Sequence, residues 1–200
     1  NKRGSLLWIL DKTKTAMGAR LLRTYIEQPL IEKSEILKRQ GAIQALVNSA
    51  IDREELREYL NPIYDLERII SRIANNTANP RDLVSFRTSL EMLPPMKHIL
   101  GTFDDSMLTE INENMDALTD ITELILTSIV DEPPILIKEG GIIKEGYNEE
   151  VDKLRHAKTD GKSWLAELEA KERERTGVKT LKIKYNKNFG YCIETVSYTH

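Results

Sequence analysis

Apolar residues recur every three or four positions from about residue 15 to residue 130. This spacing places them on one face of an α-helix and therefore predicts a series of amphipathic helices. Three of the predicted faces are Met17, Leu21, Leu22 and Tyr25; Ile36, Ile43, Leu46 and Val47; and Ile63, Leu66, Ile69, Ile70 and Ile73. The pattern predicts a mainly α fold with a helical bundle core over residues 1–147.

Residues that begin or interrupt helices fall between these segments. Asn79-Pro80-Arg81-Asp82 supplies an N-cap, a proline at the first helical position and an acid in the first turn. Pro62 and Pro94-Pro95 separate neighbouring helices. Further along, Ile135-Leu136-Ile137, a Glu139-Gly140-Gly141 turn and Ile142-Ile143 predict a small irregular hairpin over residues 135–143.

A long helix is predicted next, within residues 148–178. Helical composition continues from about Asn148 to Arg175, which at 1.5 Å per residue gives a rod of roughly 42 Å. Its apolar stripe is thin, with Val151 and Leu154 at one end and Leu165 and Leu168 at the other. Gly177 suits the left-handed position that commonly ends a helix.

Residues 179–200 have the alternation of a β-strand. Leu181, Ile183 and Tyr185 alternate with Lys182, Lys184 and Asn186, and a second strand follows over residues 190–196. The two segments predict an antiparallel hairpin with one apolar face and one lysine-bearing face. Because an isolated hairpin is only marginally stable in water, we expect it to begin a larger, truncated sheet.

Residue types that carry catalysis or bind metals are sparse. The chain has one cysteine, Cys192, which excludes an internal disulfide and fits a reducing, cytoplasmic setting. His98, His156 and His200 lack neighbours at metal-ligand spacing. No apolar run is long enough to cross a membrane. We therefore assign no catalytic, cofactor-binding or metal-binding residue.

The charge is unevenly distributed along the chain. The net charge is −3, but from Lys171 onward seven basic residues face three acidic ones, a local balance of +4. Lys182 and Lys184 alternate on one strand, and Lys187 and Asn188 lie at its turn. These four residues are the candidate contacts to a DNA backbone, because alternate lysines can meet phosphates without reading bases. Lysines on exposed strands also serve to block aggregation, and that alternative stays open.

Several segments of the sequence resemble the MutS family of bacterial DNA mismatch-repair proteins. They are residues 11–22 (DKTKTAMGARLL), 64–74 (YDLERIISRIA) with 80–83 (PRDL), 139–143 (EGGII) with Gly146-Tyr147, and 172–177 (ERERTG), which leads into 181–186 (LKIKYN) and 189–191 (FGY). The resemblance extends from the first residues of the chain to near the last, and the segments share their order and spacing with the family.

The resemblance implies a division of the chain. Residues 1–178 would form the core and the first half of a lever, and residues 179–200 would begin a clamp domain inserted into that lever. It also implies a homodimer that encloses mismatched double-stranded DNA, an ATPase that uses ATP and Mg, the downstream partner MutL, and a cytoplasmic, nucleoid-associated location. The family's mismatch-reading Phe-x-Glu element and Walker motifs are absent from this sequence.

Two functional interpretations remain open from the sequence. The first is a lever and partial clamp that transmits motion from an ATPase and contacts DNA. The second is a generic helical interaction or scaffold module without DNA contact. Binding through phosphates weakens steeply with salt, whereas an apolar protein interface responds little, so salt dependence separates the two.

The Gly161-Lys162-Ser163 triplet matches only the end of a phosphate-binding loop, since His156 stands where the first glycine is needed. We therefore expect the 200-residue chain to bind no ATP at micromolar concentrations. Isothermal titration calorimetry with Mg-ATP checks this expectation. A saturable heat of binding would contradict it.

Overall fold

The computed structural model describes residues 3–195, with the side chains of residues 157–159 left aside. The chain separates into two compact units, Asn1–Lys144 and Glu145–His200. Within the described residues, no helix is both long and apolar enough to span a membrane. The predicted start of a separate clamp domain at residue 179 stays a prediction.

The first unit is built from helices, which confirms the mainly α prediction. Its helices are α1 (Leu6–Leu10), α2 (Ala16–Glu27), α3 (Lys33–Asn48), α4 (Ala50–Leu60), α5 (Leu66–Ala74), α6 (Pro80–Leu90), α7 (Leu93–Leu100), α8 (Ser106–Asn114) and α9 (Thr119–Ser128).

Side chains cap several of these helices. The Asn79 side chain accepts a hydrogen bond from the backbone N–H of Asp82, and the Asp82 carboxylate accepts one from the N–H of Asn79. This reciprocal pair confirms the predicted start of α6 and satisfies two N–H groups that have no partner within the helix. Asp105 caps α8 by accepting from the N–H groups of Met107 and Leu108.

The core of this unit lies where α3, α4, α7 and α8 meet. Its buried side chains are Ala42, Leu56, Met96, Ile99, Leu100 and Leu108. A Cβ at Gly41 would lie only 3.0 Å from the Asp105 carboxylate. Glycine at this position therefore lets α3 approach the capped end of α8, which explains why a residue with poor helix propensity occurs inside α3.

Ser89 connects α6 to the segment before α5. It is fully buried, its hydroxyl donates to the Ser85 carbonyl at 2.8 Å, and the same oxygen accepts from the Tyr64 N–H at 3.0 Å. One side chain thus satisfies a backbone group that the helices leave without a partner.

The predicted hairpin over residues 135–143 is wrong. Residues Ile137–Glu139 form a short 3₁₀ turn, and Ile143 forms an antiparallel bridge with Ile129. The N–H of Val130 donates to the Ile142 carbonyl, and the N–H of Lys144 donates to the Ser128 carbonyl. The two isoleucines therefore pair with the segment that ends α9, and not with their nearest apolar neighbours.

The second unit begins with α10 (Glu149–Thr176), followed by β1 (Lys182–Asn186) and β2 (Gly190–Glu194). The helix runs without a break through Gly161, as predicted, and Gly177 ends it with a left-handed φ of 68°. Both strands were predicted, although the predicted end of the second at Val196 lies outside the described residues.

We expect Ser89→Ala to lower the free energy of unfolding by about 1 kcal/mol, because the Tyr64 N–H and the Ser85 carbonyl lose their hydrogen bonds to the fully buried hydroxyl. Urea unfolding followed by circular dichroism measures this change. Ser71→Ala, at an exposed position of α5, is the matched control and should stay within about 0.5 kcal/mol of the unsubstituted chain. Equal effects of the two substitutions would show that the hydrogen bonds of the Ser89 hydroxyl contribute nothing to stability.

Candidate nucleic-acid interface

The register of the hairpin decides which side chains share a face. Lys182 pairs with Glu194, Lys184 with Cys192 and Asn186 with Gly190, across a connection of three residues. Asn186 accepts a hydrogen bond from the Asn188 N–H at 2.8 Å, and Gly190 has a φ of 76°. A glycine after a short turn supplies the left-handed conformation that many three-residue connections need.

The two faces of the hairpin differ in chemistry. Directly paired residues project to the same side of a sheet, so Lys182, Lys184, Cys192 and Glu194 share one face. Ile183, Tyr185, Tyr191 and Ile193 share the other, where the two tyrosine rings meet edge to face with centroids 5.2 Å apart. The predicted division into an apolar face and a lysine-bearing face is therefore confirmed.

Lys184 has a carboxylate partner within the hairpin. Its Nζ lies 2.6 Å from a carboxylate oxygen of Glu194 on the neighbouring strand. The hydrogen bond and the negative charge of Glu194 raise the pKa of the Lys184 amine. A phosphate that approaches Lys184 must therefore compete with this carboxylate.

Lys182 lies directly across from Glu194 in the register, but the carboxylate pairs with Lys184. Lys182 is exposed on the same face as Lys184, and Lys187 is exposed in the turn beside Asn188. Within residues 3–195, neither Lys182 nor Lys187 forms an ion pair. The structure thus brings two of the four candidates to one face and puts the other two in the adjoining turn. Their contact with DNA stays a prediction.

Glu169 and Arg173 of α10 form hydrogen bonds with the backbone of the hairpin, and neither was a candidate from the sequence. A carboxylate oxygen of Glu169 accepts from the Ile183 N–H at 2.9 Å, and the Arg173 Nε donates to the Leu181 carbonyl at 2.7 Å. The two side chains also pair with each other. Their spacing of four residues was visible in the sequence, but it is equally typical of a solvated helix surface.

The structure also locates the glycine-lysine-serine triplet that the sequence offered as part of a phosphate-binding loop. Gly161, Lys162 and Ser163 lie inside α10 and not in a loop. Among residues 3–195, no three His, Cys, Asp or Glu side chains are grouped to hold a metal ion. His200, the last of the three histidines, lies outside the described residues.

The fold and the candidate site define a mainly α domain with a basic hairpin fixed to the end of a long helix. The sequence model of MutS domain III matches residues 1–195. The chain therefore belongs to the MutS domain III family, which confirms the resemblance seen in its sequence.

Curated relatives support the same assignment. The DNA mismatch repair protein MutS of Lachnoclostridium phytofermentans is 62% identical over 196 residues, which cover 98% of this chain and 21% of the relative. The proteins of the same name from Caldanaerobacter subterraneus subsp. tengcongensis and Clostridium beijerinckii are 54% and 52% identical over 194 residues. These cover 97% of this chain and 22% and 21% of the relatives. The chain spans about a fifth of the length of these relatives.

We expect Glu194→Gln to lower the pKa of the Lys184 amine, because the substitution removes the charge that favours the protonated form. The intact pair contributes to folding at neutral pH, and this contribution is lost as the pH rises through the folded-state pKa. An NMR titration of the lysine Cε resonances measures the change. An unchanged Lys184 titration would show that the pair does not persist in solution.

Proposed function

We propose that this chain is the part of a DNA mismatch-repair protein that holds a DNA-contacting hairpin at the end of a long helix. The observation that carries the proposal is the lysine-bearing face of β1 in a chain of the MutS domain III family. The relatives' name, DNA mismatch repair protein MutS, supports a role in that repair process.

The arrangement of the lysines favours contact with the DNA backbone over contact with base edges. Lys182 and Lys184 are two residues apart on one strand, which puts their Cα atoms about 6.6 Å apart on the same face. A row of ammonium groups on a flat face neutralises phosphates, whereas reading a base calls for donors and acceptors aimed into a groove. The hairpin is therefore expected to bind matched and mismatched duplexes alike.

The long helix is the proposed means of transmission. The 28 residues of α10 give a rod of about 42 Å that ends where the hairpin is attached. A continuous helix moves as one body, so a displacement at its start would reach the hairpin. We propose that this displacement originates in an ATPase elsewhere in the whole protein, since this sequence carries no complete nucleotide motif.

The remaining properties belong to the whole protein and are part of the same proposal. They are a homodimer that encloses mismatched DNA, ATP with Mg as the cofactors, and MutL as the downstream partner. No residue of this chain is proposed to catalyse ATP hydrolysis. A generic helical interaction module is the weaker alternative, because membership of the MutS domain III family supports DNA as the ligand of the lysine-bearing face.

The hairpin should bind DNA weakly, and its affinity should fall with salt, although less steeply than three free lysines would give. Three free lysines would give a slope near −2.7 in log K against log salt, but with Lys184 paired to Glu194 the slope should be about −1.8. We expect Glu194→Gln to raise the affinity and to steepen the slope by about 0.9, because it releases Lys184. Fluorescence anisotropy of a labelled duplex at several salt concentrations measures both quantities.

Two matched variants separate local contacts from overall charge. Glu174→Gln removes one carboxylate from an exposed position of α10 and should raise the affinity less than Glu194→Gln. Replacing Lys182, Lys184 and Lys187 together by Gln should abolish most binding to matched and mismatched duplexes alike. The same replacement at Lys153, Lys162 and Lys171 of α10 should not. Equal losses in the two triple variants would sink the proposal that the hairpin is the contact surface.

A further inference from the structure

The outer edge of β1 carries an unusual arrangement of partners. In a strand, the N–H and C=O groups of successive residues point to opposite edges. The C=O of Leu181 and the N–H of Ile183 therefore lie on one edge, and both are bonded by side chains of α10. In a parallel sheet, these two groups flank the central residue and are bonded by one residue of the neighbouring strand. Arg173 and Glu169 supply the donor and the acceptor that such a residue would supply.

We infer that Glu169 and Arg173 act together as positioning residues that fix the hairpin to α10 by replacing one residue of a neighbouring strand. The donor must face the Leu181 carbonyl and the acceptor must face the Ile183 N–H, so the order of the two side chains along the helix matters. An ordinary helix ion pair has no such requirement.

Packing around the pair supports a defined attachment. The Leu181 side chain is only 3% exposed, which anchors the start of the strand. Ile183 lines a shallow groove together with Leu165, Ala166 and Ala170 of α10. The small alanine side chains leave room for the strand backbone to approach the helix closely.

The turn between helix and strand keeps both groups within reach. Gly177 adopts the left-handed conformation, and its N–H donates to the Arg173 carbonyl at 2.9 Å. The N–H of Leu181 then donates to the carbonyl of Val178 at 3.2 Å. Arg173 thus accepts from the turn through its backbone and donates to the strand through its side chain. The chain reverses direction around this residue.

The attachment has a consequence for DNA that rests on the proposed function, whereas the attachment itself does not. Lys182 lies between the two bonded residues, and its side chain projects from the face that bears Lys184. Fixing Leu181 and Ile183 therefore fixes the direction in which the lysine-bearing face points relative to α10. Without the pair, the hairpin would keep its lysines but lose its orientation on the helix.

The decisive variant reverses the pair, with Glu169→Arg and Arg173→Glu together in the 200-residue chain. It keeps the net charge and a pair at the same spacing, but it puts a donor against an N–H and an acceptor against a carbonyl. We expect the Ile183 amide to exchange its hydrogen about tenfold faster or more, as measured by NMR. The control reverses the exposed residues Glu167 and Lys171 in the same way and should change the rate less than about twofold.

Two single variants keep the inference testable if the reversed pair disturbs the hairpin. Glu169→Gln retains an acceptor oxygen and should keep most of the Ile183 protection, whereas Glu169→Leu should lose it. If the pair acted only as an ion pair, both substitutions would have the same effect. Cross-strand NMR contacts between the Tyr185 and Tyr191 rings report that the hairpin is still formed.

The outcomes separate this inference from the proposed function. Unchanged exchange of the Ile183 amide in the reversed pair would overturn the inference, whatever happens to DNA binding. Faster exchange together with weaker binding in the anisotropy assay supports it in full. Faster exchange with unchanged affinity, while the Lys182, Lys184 and Lys187 variant still loses binding, would overturn the positioning role and leave the proposed function standing. Unchanged affinity in that lysine variant would overturn the proposed function alone.

Discussion

The second unit depends on a helix that local interactions must hold together. None of the side chains described along α10 is fully buried, so the packing that stabilises most helices is scarce here. Asn148 caps its start by accepting from the N–H groups of Glu150 and Val151, acids occupy its first turn, and Arg173 and Arg175 lie in its last turn. This distribution of charge complements the helix dipole at both ends. These contacts stabilise the helix up to Thr176 and thereby the turn that bears Glu169 and Arg173, to which the hairpin is bonded.

Elements with a strong local signal could be predicted closely from the sequence. The long helix was predicted over residues 148–175 and runs over Glu149–Thr176, because helical composition continues through it and Gly177 directly follows it. The alternation after Lys179 likewise predicted both strands and their two faces. The Ile142-Ile143 pair failed because its partner is the segment after α9, and pairing at a distance leaves no trace in the local pattern. Periodicity also put Ile43 and Val47 on one apolar face of α3, yet both side chains are more than half exposed. The period of apolar residues identifies a helix face but not whether another element packs against that face.

Some features of the candidate site follow from the local sequence pattern, whereas others depend on contacts between separate elements. Alternation was enough to put Lys182 and Lys184 on one face, but the pairing of Lys184 with Glu194 depends on the register that the turn imposes. A connection one residue longer would shift that register and bring Glu194 out of line with the lysines. The roles of Glu169 and Arg173 depend on where a strand meets a helix, which no pattern within either element specifies.

One carboxylate within the lysine-bearing face gives the proposed contact a particular character. A face of free lysines would hold phosphates strongly, whereas here Glu194 offers Lys184 a partner at 2.6 Å that a phosphate would have to displace. Binding to Lys184 then exchanges one charged hydrogen bond for another, so this residue adds less to the affinity than a free lysine would. Orientation becomes correspondingly more important, because a weak contact needs its few free cations to meet the backbone together. The attachment of β1 to α10 and the charge of β1 would then act on the same property, the strength of the proposed contact between the hairpin and DNA.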